Sequence, residues 1–152
     1  MTWALLLLHA VSTWGMVGVI WFVQIVQYPL FAVVSPASFV PFHTAHMRQT
    51  TYVVLPLMLV EALTAVALAF QFRTLGDWKV SGLSLGLLTA AWGSTFLIQV
   101  PMHERLTLGF DSAVIERLVS TNWIRTAAWS GRGVVAAFLL TKTAAAVHQG
   151  AA

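Results

Sequence analysis

Three histidines and a carboxylate stand where this chain could do metal or proton chemistry: His43 and His46 at i and i+3, and the adjacent pair His103-Glu104. On a helix the first two imidazoles share a face. A third histidine and a carboxylate from another helix could then close a nitrogen and oxygen site for zinc, iron or copper. His43, His46, His103 and Glu104 are the candidate ligands of such a non-haem metal, although the set lacks the Glu-x-x-His pairs of di-iron bundles and the HExxH of metalloproteases. A haem would need an axial histidine and an apolar slot, and the chain offers both without specifying either. The same imidazoles could instead be interfacial residues bonded to headgroups or water, or carry protons to and from a bound molecule. The residue pattern alone leaves these readings side by side.

Glu61 is the other conspicuous group, near the centre of the apolar run from Thr51 to Phe70. A carboxylate at bilayer mid-depth costs at least ~2.5 kcal/mol, so it must face a partner or a cavity. It aligns with His43 and His46 on one helical face, but roughly 22 and 27 Å of continuous helix separate it from them. It cannot join their coordination sphere. The last helix carries Asn122, Arg125, Trp129 and Arg132 on one face about 80° wide. Glu61 is therefore expected to pair with Arg132, the better depth match, or with Arg125 if that span begins later. Arg125 would anchor an anionic substrate oxygen, with Asn122, Trp123 and Tyr28 around it; His43, His46, His103 and Arg125 form the candidate catalytic set.

The elements that must position these groups are membrane spans. The chain of 152 residues is 59% hydrophobic and 9% charged, against about 25% charged in a soluble domain. Its length accommodates four spans of ~20 residues. The expected fold is all-α: one integral membrane domain, a four-helix bundle with spans near 3–28, 51–70, 80–100 and 123–142. An interfacial helical segment precedes the second span and another precedes the fourth. The N-terminal segment lacks a basic n-region and reads as a retained first span, anchored by Trp3 and Tyr28. Ser35-Pro36 should start one helix, Gly76 should stop it, and Pro101 should end or kink the third span. Gly109 followed by Asp111 or Ser112 should begin the last helix, whose alanine-rich tail looks frayed. No internal repeat is evident.

Polar residues fall into one stripe per span, and turning all four stripes inward gives the bundle a polar interior. Ser, Thr and Gln in such stripes commonly just join helices. Eight Lys and Arg scattered singly give a formal charge of +3; without a basic run, nucleic acid is excluded as a partner. Basic residues flank both ends of the spans evenly, so an inside location for both termini is adopted without a charge bias to support it. The absence of cysteine removes disulfides, thiolate metal sites and iron–sulfur clusters. Nucleophilic catalysis has little support, with no base evident beside a serine.

The segments QYPLF, VPMHERL and LVSTNWIRTAAWSGR together resemble the anthrone-oxygenase-like family of small four-helix membrane proteins. Pro101, Leu106, Asn122, Arg125 and Thr126 match its pattern of Pro-x-x-x-x-Leu after the third span and Asn-x-x-Arg-Thr opening the fourth. The resemblance implies oxygen-dependent oxidation of polycyclic phenolic compounds. His103 stands where asparagine is more usual, and His43 and His46 are additions, which leaves room for metal chemistry or another substrate. Taken together, the expectation is a membrane oxidoreductase or oxygenase acting on a lipophilic aromatic or quinone-like molecule drawn from the bilayer. The rival is a non-enzymatic accessory subunit, docked as a homo-oligomer or within a larger membrane complex.

Overall fold

The computed structural model describes residues 3–74 and 78–150. Four long helical runs account for almost all of them: α1 (Trp3–Val33), α2 (Pro36–Thr74), α3 (Trp78–Leu106) and α4 (Ser112–Gly150). No strand occurs among the described residues. Each run packs against its two neighbours around a square, α1 on α2 and α4, and α3 on α2 and α4, leaving α1 diagonal to α3. Three of the four are long and apolar enough to cross a membrane: α1, α2 from Pro36 to Gln71, and α3. The fourth carries Arg125 and Arg132 within its apolar stretch, and both are buried inside the bundle. Their charge lowers the hydropathy of α4 without being presented on its outer face.

Boundaries depart from the sequence expectation in instructive ways. The helical segments expected before the second and fourth spans are continuous with them, and α2 and α4 are each unbroken for 39 residues. Pro41 and Pro56 lie inside α2, where the helix tolerates the loss of a donor because neighbouring helices support it. The tail of α4 stays helical to Gly150, since alanine has the highest intrinsic helix propensity. Gly76, expected to stop α2, lies outside the described residues. In the α3–α4 turn, Gly109 adopts φ +156°, a conformation side chains avoid. Asp111 then caps α4 by accepting from the Val114 amide at 3.1 Å.

Neither α1 nor α3 is uniformly α. Each widens into a five-residue π-turn, Val23–Gln27 and Thr95–Gln99. Each π-turn ends on a glutamine two residues before a proline, Pro29 or Pro101. The amides of Tyr28 and Val100 reach back five residues to the carbonyls of Val23 and Thr95. A proline ring cannot follow a regular turn without striking the carbonyl four residues earlier, and the wider turn absorbs it. The extra residue also shifts the following side chains by about 100° around the axis. Tyr28, read both as an interface anchor and as a neighbour of Arg125, is buried. The chain thus has a two-fold plan that residue identities hide: a π-turned helix and then a 39-residue helix, twice.

Gly82-Leu83-Ser84-Leu85-Gly86 spells the G-x-S-x-G spacing of a nucleophile elbow. It lies in the interior of α3, where no strand-to-helix turn exposes the hydroxyl, so it supplies no such serine.

Candidate functional site

Two polar centres occupy the bundle interior, separated by an apolar layer that includes Met16, Ile20, Met58 and Trp129. In the first, Glu61 of α2 is fully buried and forms an ion pair with Arg132 of α4. The same guanidinium donates to the Ser84 carbonyl at 2.6 Å and lies 5.9 Å from the Trp129 ring centroid. His9 joins through Thr64 at 3.0 Å. Arg125 is not part of this pair. The arrangement locks α2, α3 and α4 together at one depth.

The second centre gathers most of the candidate residues where the π-turns of α1 and α3 face α2 and α4. Arg125 Nη1 donates to the Tyr28 hydroxyl at 3.5 Å and to Asn122 Oδ1 at 3.2 Å. The tyrosine oxygen lies 2.9 Å from His103 Nε2, and His103 Nδ1 lies 2.9 Å from His43 Nε2. With the His103 Nδ1–H and His43 Nδ1–H tautomers the phenol donates to His103 and His103 to His43; with the opposite tautomers the same contacts run the other way. The series links Tyr28, His103 and His43. It ends at His43 Nδ1, buried with no hydrogen-bond partner among the described residues.

His46 belongs to the same group by its ring, 6.1 Å from that of His103, but not to the chain. Its Nδ1 is held by Gln27 and Thr50, each at 3.2 Å. Asn122 does not touch the cavity described below. It donates to Gln24 Oε1 at 2.9 Å, and so holds Arg125 in place. Trp123 lies outside the centre, half-exposed and edge-on to Trp21 with ring centroids 5.7 Å apart. Glu104 is exposed on the last turn of α3.

A metal needs at least three lone pairs converging at about 2 Å. Among the described residues no three His, Asp or Glu side chains are so disposed. Two of the nitrogens, His43 Nε2 and His103 Nδ1, face each other instead. The fully buried Phe31 ring stands nearly perpendicular to all three imidazoles, with centroids 5.6, 4.9 and 6.3 Å away. It packs edge-on against each of them. As arranged, these residues do not fit the metal that their spacing left open.

Beside the Tyr–His–His chain lies an inner cavity of about 180 Å³, bounded by all four helices and including Tyr28, His46, Trp92, Gln99, His103 and Arg125 in its wall. Pockets for drug-sized ligands run to about 300–1,000 Å³, so this one has room for a single ring and none for a haem. Three of its wall residues carry a buried polar atom without a protein partner: Trp92 Nε1, Gln99 Oε1 and Arg125 Nε. For Gln99 the reason is visible. Its Nε2 donates to Thr121 Oγ1 at 3.0 Å, whose own proton goes to the Arg117 carbonyl at 2.7 Å, leaving Oε1 over. Sequence reading placed Gln99 only among helix-joining residues, and its position two residues before Pro101 was the available signal.

No protein-family model, curated protein or solved structure matches this chain.

Proposed function

We propose that this protein is a membrane-embedded oxidoreductase, oxygenase-like in kind, acting on the oxygenated ring of a lipophilic phenol or quinol. The observation that carries this reading is the inner cavity, three of whose wall residues hold an unpaired buried polar atom and which adjoins the Tyr28–His103–His43 chain. Unsatisfied buried polar atoms cost about 1–3 kcal/mol each, and a ligand that pairs with them recovers that energy. The indole N–H of Trp92 and the guanidinium of Arg125 suit a carbonyl or phenolate oxygen. Gln99 Oε1 suits a hydroxyl.

Within this reading all four helices cross the bilayer, with both termini together on the cytoplasmic side. Arg125 stabilises the ring oxygen as its proton departs, and Asn122 fixes the guanidinium. The proton enters at the Tyr28 oxygen, passes to His103 Nε2, and displaces the Nδ1 proton onto His43 Nε2; His43 releases its own from Nδ1. Oxidation of a hydroquinone gives up two such protons and two electrons. Dioxygen, the oxidant the anthrone-oxygenase-like resemblance implies, would take the two electrons and, from water, two protons that replace those released at His43, and leave as hydrogen peroxide. The histidines act here as proton carriers, and no step passes through a metal.

The test is turnover in lipid nanodiscs with a benzene-1,4-diol head, following oxygen uptake, peroxide and quinone together. One equivalent of each per turnover supports the proposal. Absence of both turnover and head binding in well-folded protein would leave the accessory-subunit role in its place.

A further inference from the structure

The inner cavity is not sealed. On its α2–α3 side the wall includes Leu55 and Phe96, both exposed on the outer surface of the bundle. A second depression of about 370 Å³ continues from there along the α2–α3 seam, bounded by Ala62, Leu88, Thr89, Trp92, Gly93 and Phe96. Trp92 and Phe96 belong to both walls, so the two spaces adjoin across one pair of rings. The groove is predominantly apolar. It lies toward the start of α3 from the cavity, on the side of the Glu61 level and away from the α3–α4 turn.

This order has the polarity of a lipid. The polar wall residues Gln99, His103 and Arg125 lie toward the α3–α4 turn, and the groove descends from them toward the middle of the bundle. We infer that the ligand is an amphiphile: its oxygenated ring sits in the inner cavity, and a hydrocarbon tail leaves between Leu55 and Phe96 to lie in the α2–α3 groove. The substrate class is then a single-ring phenol or quinol with an alkyl or isoprenoid tail, in place of a compact polycycle. This inference rests on the proposed head-binding function and adds the tail to it. The cavity volume supports the division, because about 180 Å³ admits a ring but no long chain with it.

Gly93 provides a clean probe. A Cβ built there meets nothing within 4 Å, so Gly93→Leu occupies groove space without disturbing the backbone, and leucine is the better helix former. Gly86 on the same helix is equally open but does not border the groove, making Gly86→Leu the matched control. Binding of one benzoquinone head bearing a methyl group, a decyl chain or a farnesyl chain would be measured in nanodiscs, as mole fraction in the bilayer so that partitioning cancels. Gly93→Leu is expected to weaken the two tailed ligands about tenfold, equivalent to 1.4 kcal/mol, and to leave the methyl compound within about threefold. Gly86→Leu should leave all three unchanged. Equal effects on tailed and tail-less ligands, or no effect of Gly93→Leu, would overturn the tail groove while head binding stands. Failure of wild-type protein to bind any of the three would overturn the head site as well.

Discussion

At the residue scale, the two polar centres call for different tests because burial makes them cost differently. Glu61→Gln leaves Arg132 charged and unpaired in the apolar interior, and breaking a buried pair from one side typically costs about 3–5 kcal/mol. The expected outcome is a large fall in the detergent-solubilised melting temperature. Replacing both partners by leucine should recover most of it, since no uncompensated charge remains. A single variant no less stable than wild type would show that the pair does not hold the bundle. Tyr28→Phe addresses the other centre, where the phenol links Arg125 to His103. Its ring still packs, but the proton chain loses its entry atom. Turnover should drop by about tenfold or more, with KM changed less than threefold; equal losses in both would mark Tyr28 as a binding residue only. Of these residues, the alignment of Glu61 and Arg132 with inward stripes was legible from helical periodicity. The direct His43–His103 contact was not, since spacing says which face an imidazole shares but not which ring nitrogen meets which.

At the element scale, the π-turns decide what reaches the site. Runs of apolar residues announced four helices, and Ser35-Pro36, Gly109 and Asp111 marked their ends, because caps and turns are local chemistry. The extra residue in Val23–Gln27 and Thr95–Gln99 left no such mark, because a proline within an apolar run reads equally as stop or kink. Tyr28, at the end of the first span, read both as an interface anchor and as a contact of Arg125, and only the second reading matches its buried position. Pro101→Ala tests the role of the wider turn. Without the ring, the regular i to i−4 bond can re-form, the one-residue phase shift is lost, and His103 and Gln99 no longer face the cavity together. Stability by thermal unfolding should hold or rise, as an interior proline costs about 3 kcal/mol. Head binding should fall about tenfold, equivalent to 1.4 kcal/mol. Unchanged affinity in a stable variant would separate the π-turn from the site.

At the scale of the whole molecule, α4 is, among the described residues, the one long helix that falls short of the hydropathy of a membrane span, while α1, α2 and α3 are long and apolar enough to cross. Hydropathy alone separates it from them, and its deficit comes from Arg125 and Arg132, whose side chains are turned inward. On its outer face, Trp123, Ile124, Val134 and Phe138 are exposed, as suits contact with acyl chains. An α4 lying in water would instead expose those side chains and draw the Glu61 partner out of the apolar interior, at the cost of a stranded charge. The two-fold plan of the backbone points the same way, since α4 occupies in the second half the place α2 holds in the first. The chain has no cysteine, so single substitutions report sidedness without background. Cysteines at Val34 and Leu108 should react with a membrane-impermeant maleimide from one side of sealed vesicles, and cysteines at Trp78 and Thr143 from the other. Position 143 is decisive. If it labels together with Leu108, α4 does not cross, the Arg125 site cannot lie within the bilayer, and both the lipophilic substrate and its tail groove lose their physical basis.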